Sequence, residues 1–135
     1  NQATIVDDYA HHPTEIKATI RAALNYPHNR LWCVFQPHTY SRTRKLFREF
    51  TEAFDGVDTL ILADIYAARE KDTGEINSRM LAEAIAEKGR QCVYMPDFQE
   101  IEDYIRKYSR PNDLILTMGA GNINQVGDFL LEGGK

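Results

Sequence analysis

Cysteine, long apolar runs and an excess of basic residues are all scarce or absent in this sequence. It contains two cysteines, Cys33 and Cys92, and carries a formal net charge of -4 from 16 basic and 20 acidic residues. Two cysteines are too few for a disulfide scaffold, and both lie in apolar runs, which predicts reduced core thiols. No apolar run approaches the ~20 residues of a membrane-spanning helix, and no basic field favours nucleic acid. We therefore expect neither a membrane nor a nucleic acid as partner.

Several sequence signatures are also missing, and each absence excludes a class of protein. No GxxxxGKS/T loop occurs, so the chain cannot by itself hold ATP phosphates and magnesium as a P-loop ATPase does. No GxSxG elbow occurs, so a Ser-His-Asp hydrolase is unsupported. The chain opens almost directly in a predicted strand, without an initiator Met or a secretory leader. We expect a single cytoplasmic domain, residues 1–135, that is a fragment of a longer protein.

What is present is an alternation of short β-branched and aromatic runs with longer segments of helical period. Five such pairs can be counted, which predicts an α/β fold: a three-layer, Rossmann-like domain with a mostly parallel sheet flanked by helices. Most of the runs are continuously apolar, as in strands covered on both faces. The predicted strands are 4–8, 31–36, 59–63, 91–95 and 113–118.

The helical segments have recognisable starts, stops and apolar faces. Pro13 suits the first position of a helix that reaches about Asn25, and Asn77 or Ser78 caps a later helix that Gly89 ends. Asp97 followed by Glu100 predicts a capping box, and a last helix covers 123–131. A polar stretch at 67–75 predicts a mobile surface loop. The expected core-facing positions are Leu46, Phe47, Phe50 and Phe54 in one helix after Ser41, Met80, Leu81, Ala84 and Ile85 in the next, and Ile101, Tyr104, Ile105 and Tyr108 in the fourth.

Polar residues cluster where the first strand ends. Ligands of open parallel sheets bind beyond the carboxyl ends of the strands, so Asp8, His11 and His12 are candidate binding residues. Asp8 could accept hydrogen bonds from ribose hydroxyls, and one histidine could contact an anionic group. Alternatively, Asp7 or Asp8 and a histidine satisfy the start of the helix at Pro13. Adjacent histidines diverge on a regular backbone, so this pair is poorly spaced to chelate one metal ion.

A second cluster follows the second strand and contains His38, Arg42 and Arg44. Arg42 comes four residues after His38, so both could face one ligand if the helix begins early. A guanidinium offers two parallel donors to a carboxylate, which would suit an amino acid. The alternative is that Arg42 and Arg44 are solvated charges on a helix surface.

The glycines of the segment 119–122 follow the fifth strand and open a helix. A GxG at this place resembles a phosphate-binding turn, but it lacks the third glycine of a dinucleotide fingerprint. A close turn between strand and helix that requires small residues explains the same pattern.

Four segments in order along the chain resemble those of Mur ligases. They read DDYAHHPTE at 7–15, FQPHTYSRT at 35–43, DIYAARE at 64–70 and MGAGNI at 118–123. The first is similar to the signature of the third, C-terminal domain of that family, and the second to its L-alanine-adding branch. One common form of the second segment has an arginine directly after the histidine, where this sequence has Thr39. Arg42 is therefore left as the main candidate to bind a carboxylate.

The resemblance implies the reaction and its partners. The intact enzyme would activate the carboxylate of UDP-N-acetylmuramate as an acyl phosphate with ATP and Mg²⁺, and the amine of L-alanine would attack it. Carried over by position, Asp8, Tyr9 and His11 or His12 would bind the nucleotide, and His38 and Arg42 the amino acid. No catalytic residue and no metal ligand is expected in this domain, because ATP and Mg²⁺ would be bound mainly by the central domain of the same polypeptide.

Other functions remain open from the sequence. Within the same family, a ligase that recycles a murein tripeptide onto UDP-N-acetylmuramate shares much of the pattern. A stand-alone, non-enzymatic α/β binding module would explain the missing P-loop. A flavodoxin-like or NAD-binding domain would share the fold alone.

Overall fold

Five parallel strands form one sheet between two layers of helices. The computed structural model describes the backbone of residues 3–133 and the side chains of residues 3–131. The strands are β1 (Thr4–Asp8), β2 (Leu31–Phe35), β3 (Thr59–Leu62), β4 (Cys92–Tyr94) and β5 (Leu114–Met118), in the order β1-β5-β2-β3-β4. The helices are α1 (Pro13–Leu24), α2 (Tyr40–Lys45), α3 (Phe47–Thr51), α4 (Ser78–Glu87), α5 (Phe98–Tyr108) and α6 (Asn124–Gly133). The predicted three-layer α/β fold is confirmed, with element bounds close to those expected.

Alternation of side chains along the strands gives the domain two cores. Residues of β2 such as Leu31, Cys33 and Phe35 pack on one face with α1, α3 and α4. Trp32 and Val34 point to the other face, where they pack with α5 and α6. The central strands β2, β3 and β5 are fully buried, whereas the edge strands β1 and β4 are partly exposed. Continuous apolar runs therefore mark the strands that helices cover on both faces.

The order of the strands places a change in the direction of the connections on each side of β5. The chain leaves β1 and β2 toward helices on one face, α1 and α3, while it leaves β5 toward α6 on the opposite face. In open α/β sheets, ligands generally bind at the carboxyl ends of strands whose neighbouring connections depart to opposite faces. The segments that follow β1, β2 and β5 meet at this edge of the sheet.

The helix predicted after Ser41 is wrong in its continuity. The structure has two short helices instead, because Leu46 leaves the helical region with φ -106° and ψ 21°. The first of them begins earlier than expected, at Tyr40, with Thr39 as its N-cap. The kink still turns Phe50 and Phe54 into the core, where both are fully buried.

Three smaller expectations are also wrong. Asp97 occupies the N-cap of α5, but its side chain makes no capping hydrogen bond. Met80 and Tyr108 are exposed, with 42% and 47% of their surfaces accessible, because each lies at the rim of its helix's apolar face. Asn77 is the cap of α4 through a 2.9 Å bond from the Met80 N–H, and the positive φ of Gly89 follows its end, both as predicted.

The two cysteines behave as the apolar runs indicated. Cys33 is completely buried and Cys92 half-buried, and neither forms a disulfide. Burial raises the pKa of the Cys92 thiol to about 12, so it stays protonated. Within residues 3–133, no helix is both long and apolar enough to cross a membrane.

Candidate functional site

The end of β1 forms a tight local turn before α1. The Asp8 carboxylate accepts the Ala10 N–H through Oδ1 at 2.8 Å, and no described residue bonds its other oxygen. The preceding residue, Asp7, instead accepts a hydrogen bond from the Thr117 hydroxyl of β5. Neither aspartate caps α1, so that part of the capping interpretation is wrong, and Asp8 keeps one oxygen free for a ligand.

His12 and Glu15 together cap α1. The His12 Nδ1 accepts the Thr14 N–H at 3.1 Å, and the Glu15 carboxylate accepts the His12 N–H at 3.1 Å, which is a capping box. Glu15 also accepts the His11 N–H at 3.1 Å. These two backbone bonds are the main reason that the pKa of Glu15 is lowered. The histidine part of the capping interpretation is therefore confirmed for His12.

The His11 ring, whose Nδ1 lies 3.5 Å from the Glu15 carboxylate, also joins an aromatic row. Its ring lies edge-on to Tyr9, with centroids 5.8 Å apart, and edge-on to His38 at 5.9 Å. His38 in turn stacks on Tyr66, with ring planes inclined by 14° and centroids 5.7 Å apart. Side chains that follow β1, β2 and β3 thus meet in one continuous row of rings. Tyr9, at one end of the row, exposes 71% of its surface, so its ring faces are open to a planar ligand.

Arg42 and His38 form a second contact within this edge. The Arg42 Nη1 lies 3.2 Å from the His38 Nδ1. A guanidinium has donors only, so Nδ1 must be the acceptor and the ring hydrogen must lie on Nε2. Burial, then the charges of Arg42 and His11, lower the pKa of His38 below 6.5, which favours this neutral form. His38 therefore presents an Nε2–H donor beside the Arg42 cation.

Arg42 has no ion-pair partner among the described side chains. No carboxylate of residues 3–131 lies within 4.0 Å of its guanidinium, whereas Arg44 pairs with Glu75. A half-buried guanidinium with one hydrogen bond has several donors left for a carboxylate or phosphate. The interpretation of Arg44 as a helix-surface charge is confirmed, whereas the binding of a carboxylate by Arg42 stays a prediction.

The turn that follows β5 packs closely against Gln36 and Tyr66 at the same end of the sheet. Gly119 has φ +151° and lies so close to Gln36 that an added Cβ would meet the Gln36 carbonyl oxygen at 2.8 Å. At Gly121 an added Cβ would fall 2.5 Å from the Tyr66 ring. The Gln36 and Asn122 amides bond each other, through Gln36 Nε2 to Asn122 Oδ1 at 2.8 Å. The interpretation of these glycines as a close strand-to-helix turn is therefore confirmed.

Tyr66 and Glu70 belong to this edge, although no role was predicted for either. Tyr66 stacks on His38 and packs over Gly121, and its position in the segment that follows β3 was the available signal. Glu70 accepts the Tyr40 and Ser41 N–H groups at 2.6 and 3.0 Å. Nothing in the sequence pairs residues 30 positions apart, and Glu70 lay within the stretch interpreted as a surface loop. That stretch does lack helix and strand, and its mobility stays a prediction.

No metal centre forms from the described side chains. Among residues 3–131, no three His, Cys, Asp or Glu are grouped so that they could hold a metal ion. His11 and His12 diverge as expected, one toward His38 and the other onto the start of α1. The edge is a collection of hydrogen-bond donors, one free carboxylate oxygen and exposed rings, which suits binding of an anionic, partly aromatic ligand.

The sequence is similar to those of known ligases. The chain is 57% identical over 132 residues to a UDP-N-acetylmuramate--L-alanine ligase of Clostridium tetani, covering 98% of this chain and 29% of that protein. It is 59% identical over 127 residues to the ligase of that name from Clostridium kluyveri, covering 94% of this chain and 28% of that protein. The chain thus spans less than a third of the length of these relatives.

A solved structure with the same fold is the UDP-N-acetylmuramate-alanine ligase of Thermotoga maritima. It superposes with a TM-score of 0.77 at 24% identity, covering 98% of this chain and 26% of that one, and supports the fold. Residues 1–121 match the family described as "Mur ligase, glutamate ligase domain". Because this match covers most of the sequence, the chain belongs to the Mur ligase, glutamate ligase domain family.

Proposed function

We propose that this chain is the C-terminal domain of an ATP-dependent ligase that joins L-alanine to UDP-N-acetylmuramate in peptidoglycan synthesis. Relatives of that name are 57% and 59% identical to it over nearly its whole length. The observation that carries the proposal is the contact between Arg42 and His38 at the carboxyl ends of the strands. The Arg42 guanidinium has no ion pair among residues 3–131, and it lies beside the Nε2–H donor of His38. Such a pair suits the carboxylate of an amino acid.

The proposed reaction has two steps. A carboxylate oxygen of UDP-N-acetylmuramate attacks the γ-phosphorus of ATP, which releases ADP and leaves an acyl phosphate. The amine of L-alanine then attacks the acyl carbon, the tetrahedral intermediate expels phosphate, and the nitrogen loses a proton to give the amide. In this reaction the domain contributes binding and orientation of the amine, together with exclusion of water, rather than proton transfer.

The proposed roles follow the free groups of the site. Arg42 and His38 bind the carboxylate of L-alanine through the Arg42 guanidinium and the His38 Nε2–H. Asp8, with its unbonded oxygen, accepts from ribose hydroxyls of ATP, and Tyr9 and His11 lie against the base. The His12 Nδ1 is engaged in the capping box, so only the Nε2 side of its ring could contact the nucleotide.

ATP phosphates and Mg²⁺ are assigned mainly to other parts of the protein. The sequence has no P-loop, and the described side chains do not fit a metal ion. The rest of the same polypeptide is therefore the partner that completes the site, and the isolated domain is expected to be inactive. Because the substrates are ATP and a nucleotide sugar, we expect the reaction in the bacterial cytoplasm.

The test is to complete the enzyme. This chain, fused in place of the equivalent segment of the Clostridium tetani ligase, should restore ligation that depends on both ATP and L-alanine. The native Clostridium tetani ligase is the positive control, and a fusion carrying Arg42→Ala should be impaired. A fusion that folds, as judged by circular dichroism and size-exclusion chromatography, yet shows no ligation would overturn the proposal.

The alternatives are separated by the choice of acceptor and ligand. Ligation of a murein tripeptide in preference to L-alanine by the fusion would favour the recycling ligase. Binding of flavin or NAD by the chain alone would favour a flavodoxin-like or dinucleotide-binding module. An independent binding module would fold and bind a ligand without supporting ligation in any fusion.

A further inference from the structure

Glu70 joins two segments of the site that are distant in sequence. It lies in the connection 67–77 between β3 and α4, which contains neither helix nor strand. Its Oε1 accepts the N–H groups of Tyr40 and Ser41 at 2.6 and 3.0 Å, and its Oε2 accepts the Ser41 hydroxyl. One carboxylate therefore receives three hydrogen bonds from the first turn of α2.

The first turn of α2 depends on these bonds. The first N–H groups of any helix lack partners within the helix, and α2 has only six residues in which to compensate. The Thr39 hydroxyl accepts the Arg42 N–H at 3.3 Å, which leaves Tyr40 and Ser41 to Glu70. Glu70 thus supplies from another segment the acceptor that α2 lacks.

The residue before α2 is also held from outside. Thr39 has φ 68° and ψ 147°, a region that a β-branched residue rarely adopts and that costs free energy. Its N–H donates to the Tyr66 carbonyl oxygen at 2.8 Å, and its own carbonyl oxygen accepts the Thr43 hydroxyl at 2.7 Å. The segment 38–42, which carries both His38 and Arg42, is therefore fixed by contacts to the segment 66–70.

From these contacts we propose that Glu70 is a positioning residue for amino-acid binding. By holding the first turn of α2, it keeps the Arg42 guanidinium and the His38 imidazole directed at the same carboxylate. Among residues 3–131, no ion pair within 4.0 Å joins Glu70 to Arg42, so Glu70 leaves the Arg42 charge available to a ligand. The inference rests on the proposed function only in naming L-alanine as the ligand.

The charge state of Glu70 suits this role. The bonds from Ser41, from the Tyr40 N–H and the nearby Arg42 charge lower the pKa of Glu70, so it is ionised near neutral pH. Its negative charge also acts on His38, where it raises the pKa against the lowering effects of burial, Arg42 and His11. Glu70 is thus coupled to both members of the pair.

The kinetic test compares Glu70→Gln and Glu70→Ala with the control Glu75→Gln in the complete ligase. Glu75 lies in the same connection but pairs with Arg44 on the surface. Glu70→Ala should raise the KM for L-alanine about tenfold and leave the KM for ATP within about twofold, because only amino-acid positioning is lost. Glu70→Gln keeps an acceptor and should lie between, and Glu75→Gln should match the parent.

A second measurement on the 135-residue chain does not depend on ligase activity. In Glu70→Gln the pKa of His38, followed by NMR, should fall further below 6.5, since a charge that raises it is removed. The amide signals of Tyr40 and Ser41 should shift as well. Unchanged His38 titration and unchanged amides would overturn the positioning role. If even the parent fusion fails to use L-alanine, the proposed function falls, while the NMR result still decides the role of Glu70.

Discussion

The amino ends and the carboxyl ends of the strands differ in how completely their charged side chains are hydrogen-bonded. We call the amino ends, around Asp113, the closed edge, and the carboxyl ends, around Arg42, the open edge. At the amino ends of the strands, Asp113 is 99% removed from solvent and its carboxylate accepts from the Trp32 indole at 3.0 Å and from the Arg110 N–H at 2.9 Å. Arg30 adds its own N–H at 3.2 Å and its guanidinium at 3.3 Å. The fold fills the hydrogen-bonding capacity of this group completely.

At the carboxyl ends of the strands the capacity is left open. Among the described residues, Arg42 donates one side-chain hydrogen bond, to His38, and one of the two Asp8 carboxylate oxygens accepts a hydrogen bond. Tyr9 is mostly exposed. Buried polar groups that are fully paired hold the fold in place, whereas partly paired ones are available to a ligand. The difference between the edges indicates which charges serve stability and which serve binding.

The largest expected effect breaks the closed edge. Asp113→Ala should lower the free energy of unfolding by about 3–5 kcal/mol, because it leaves the Trp32 N–H and the Arg30 charge without their acceptor. Urea denaturation followed by tryptophan fluorescence measures this loss. Asp58→Ala is the matched control on the same edge: Asp58 is exposed and accepts one bond, from the Leu31 N–H at 2.7 Å. Its loss should cost only about 1 kcal/mol, and equal losses in the two variants would contradict the comparison.

The open edge should respond to substitution in activity rather than in stability. Arg42→Ala in the complete ligase should raise the KM for L-alanine about 10- to 100-fold, the worth of charge-assisted hydrogen bonds of about 1.5–3 kcal/mol. The KM for ATP should change much less, and the free energy of unfolding by no more than about 0.5 kcal/mol. Arg48→Ala, an exposed arginine of α3 without an ion pair among the described residues, is the control. Equal changes in both KM values would argue against a role in carboxylate binding.

The same contrast explains how far the sequence could predict this molecule. Continuous apolar runs predicted β2, β3 and β5 because helices cover both of their faces, and Pro13 and Asn77 marked helix starts because their effects are local. The break at Leu46 was missed, since Leu46, Phe47, Phe50 and Phe54 fit one continuous helical stripe in the sequence. The buried face of α5 was misjudged at Tyr108, which is exposed.

The site divides in the same way between local and distant interactions. His38 and Arg42 were predicted to face one ligand because they are four residues apart, and the structure brings them within 3.2 Å. The contact of His11 with His38, the stacking of Tyr66 and the bonds to Glu70 depend on tertiary contacts across as many as 30 positions. Patterns within a short window cannot encode such contacts.

Acid should weaken the closed edge in a defined pH range. Burial alone would raise the pKa of Asp113, but hydrogen bonds from Arg110, Trp32 and Arg30 and the Arg30 charge outweigh it and hold the pKa below 3.8. The unfolded chain therefore binds a proton at a higher pH than the folded chain. The stabilisation is complete above 3.8 and is lost as the pH falls through the lower, folded-state value. Asp113→Asn should flatten this part of the pH dependence of unfolding, and an unchanged slope would contradict the assignment.

The smallest expected effect concerns His38 at the open edge. Its pKa should lie below 6.5, mainly because of burial and then the charges of Arg42 and His11, so protonation disfavours the fold between that lower value and 6.5. Arg42→Ala should move the pKa of His38 back toward 6.5, while Arg48→Ala should leave it in place, as followed by the ring carbon-bound proton signals in NMR. A pKa of His38 that does not respond to Arg42→Ala would mean that the guanidinium does not hold the ring as its Nε2–H tautomer. The open edge would then present a lone cation to the carboxylate rather than a pair of donors.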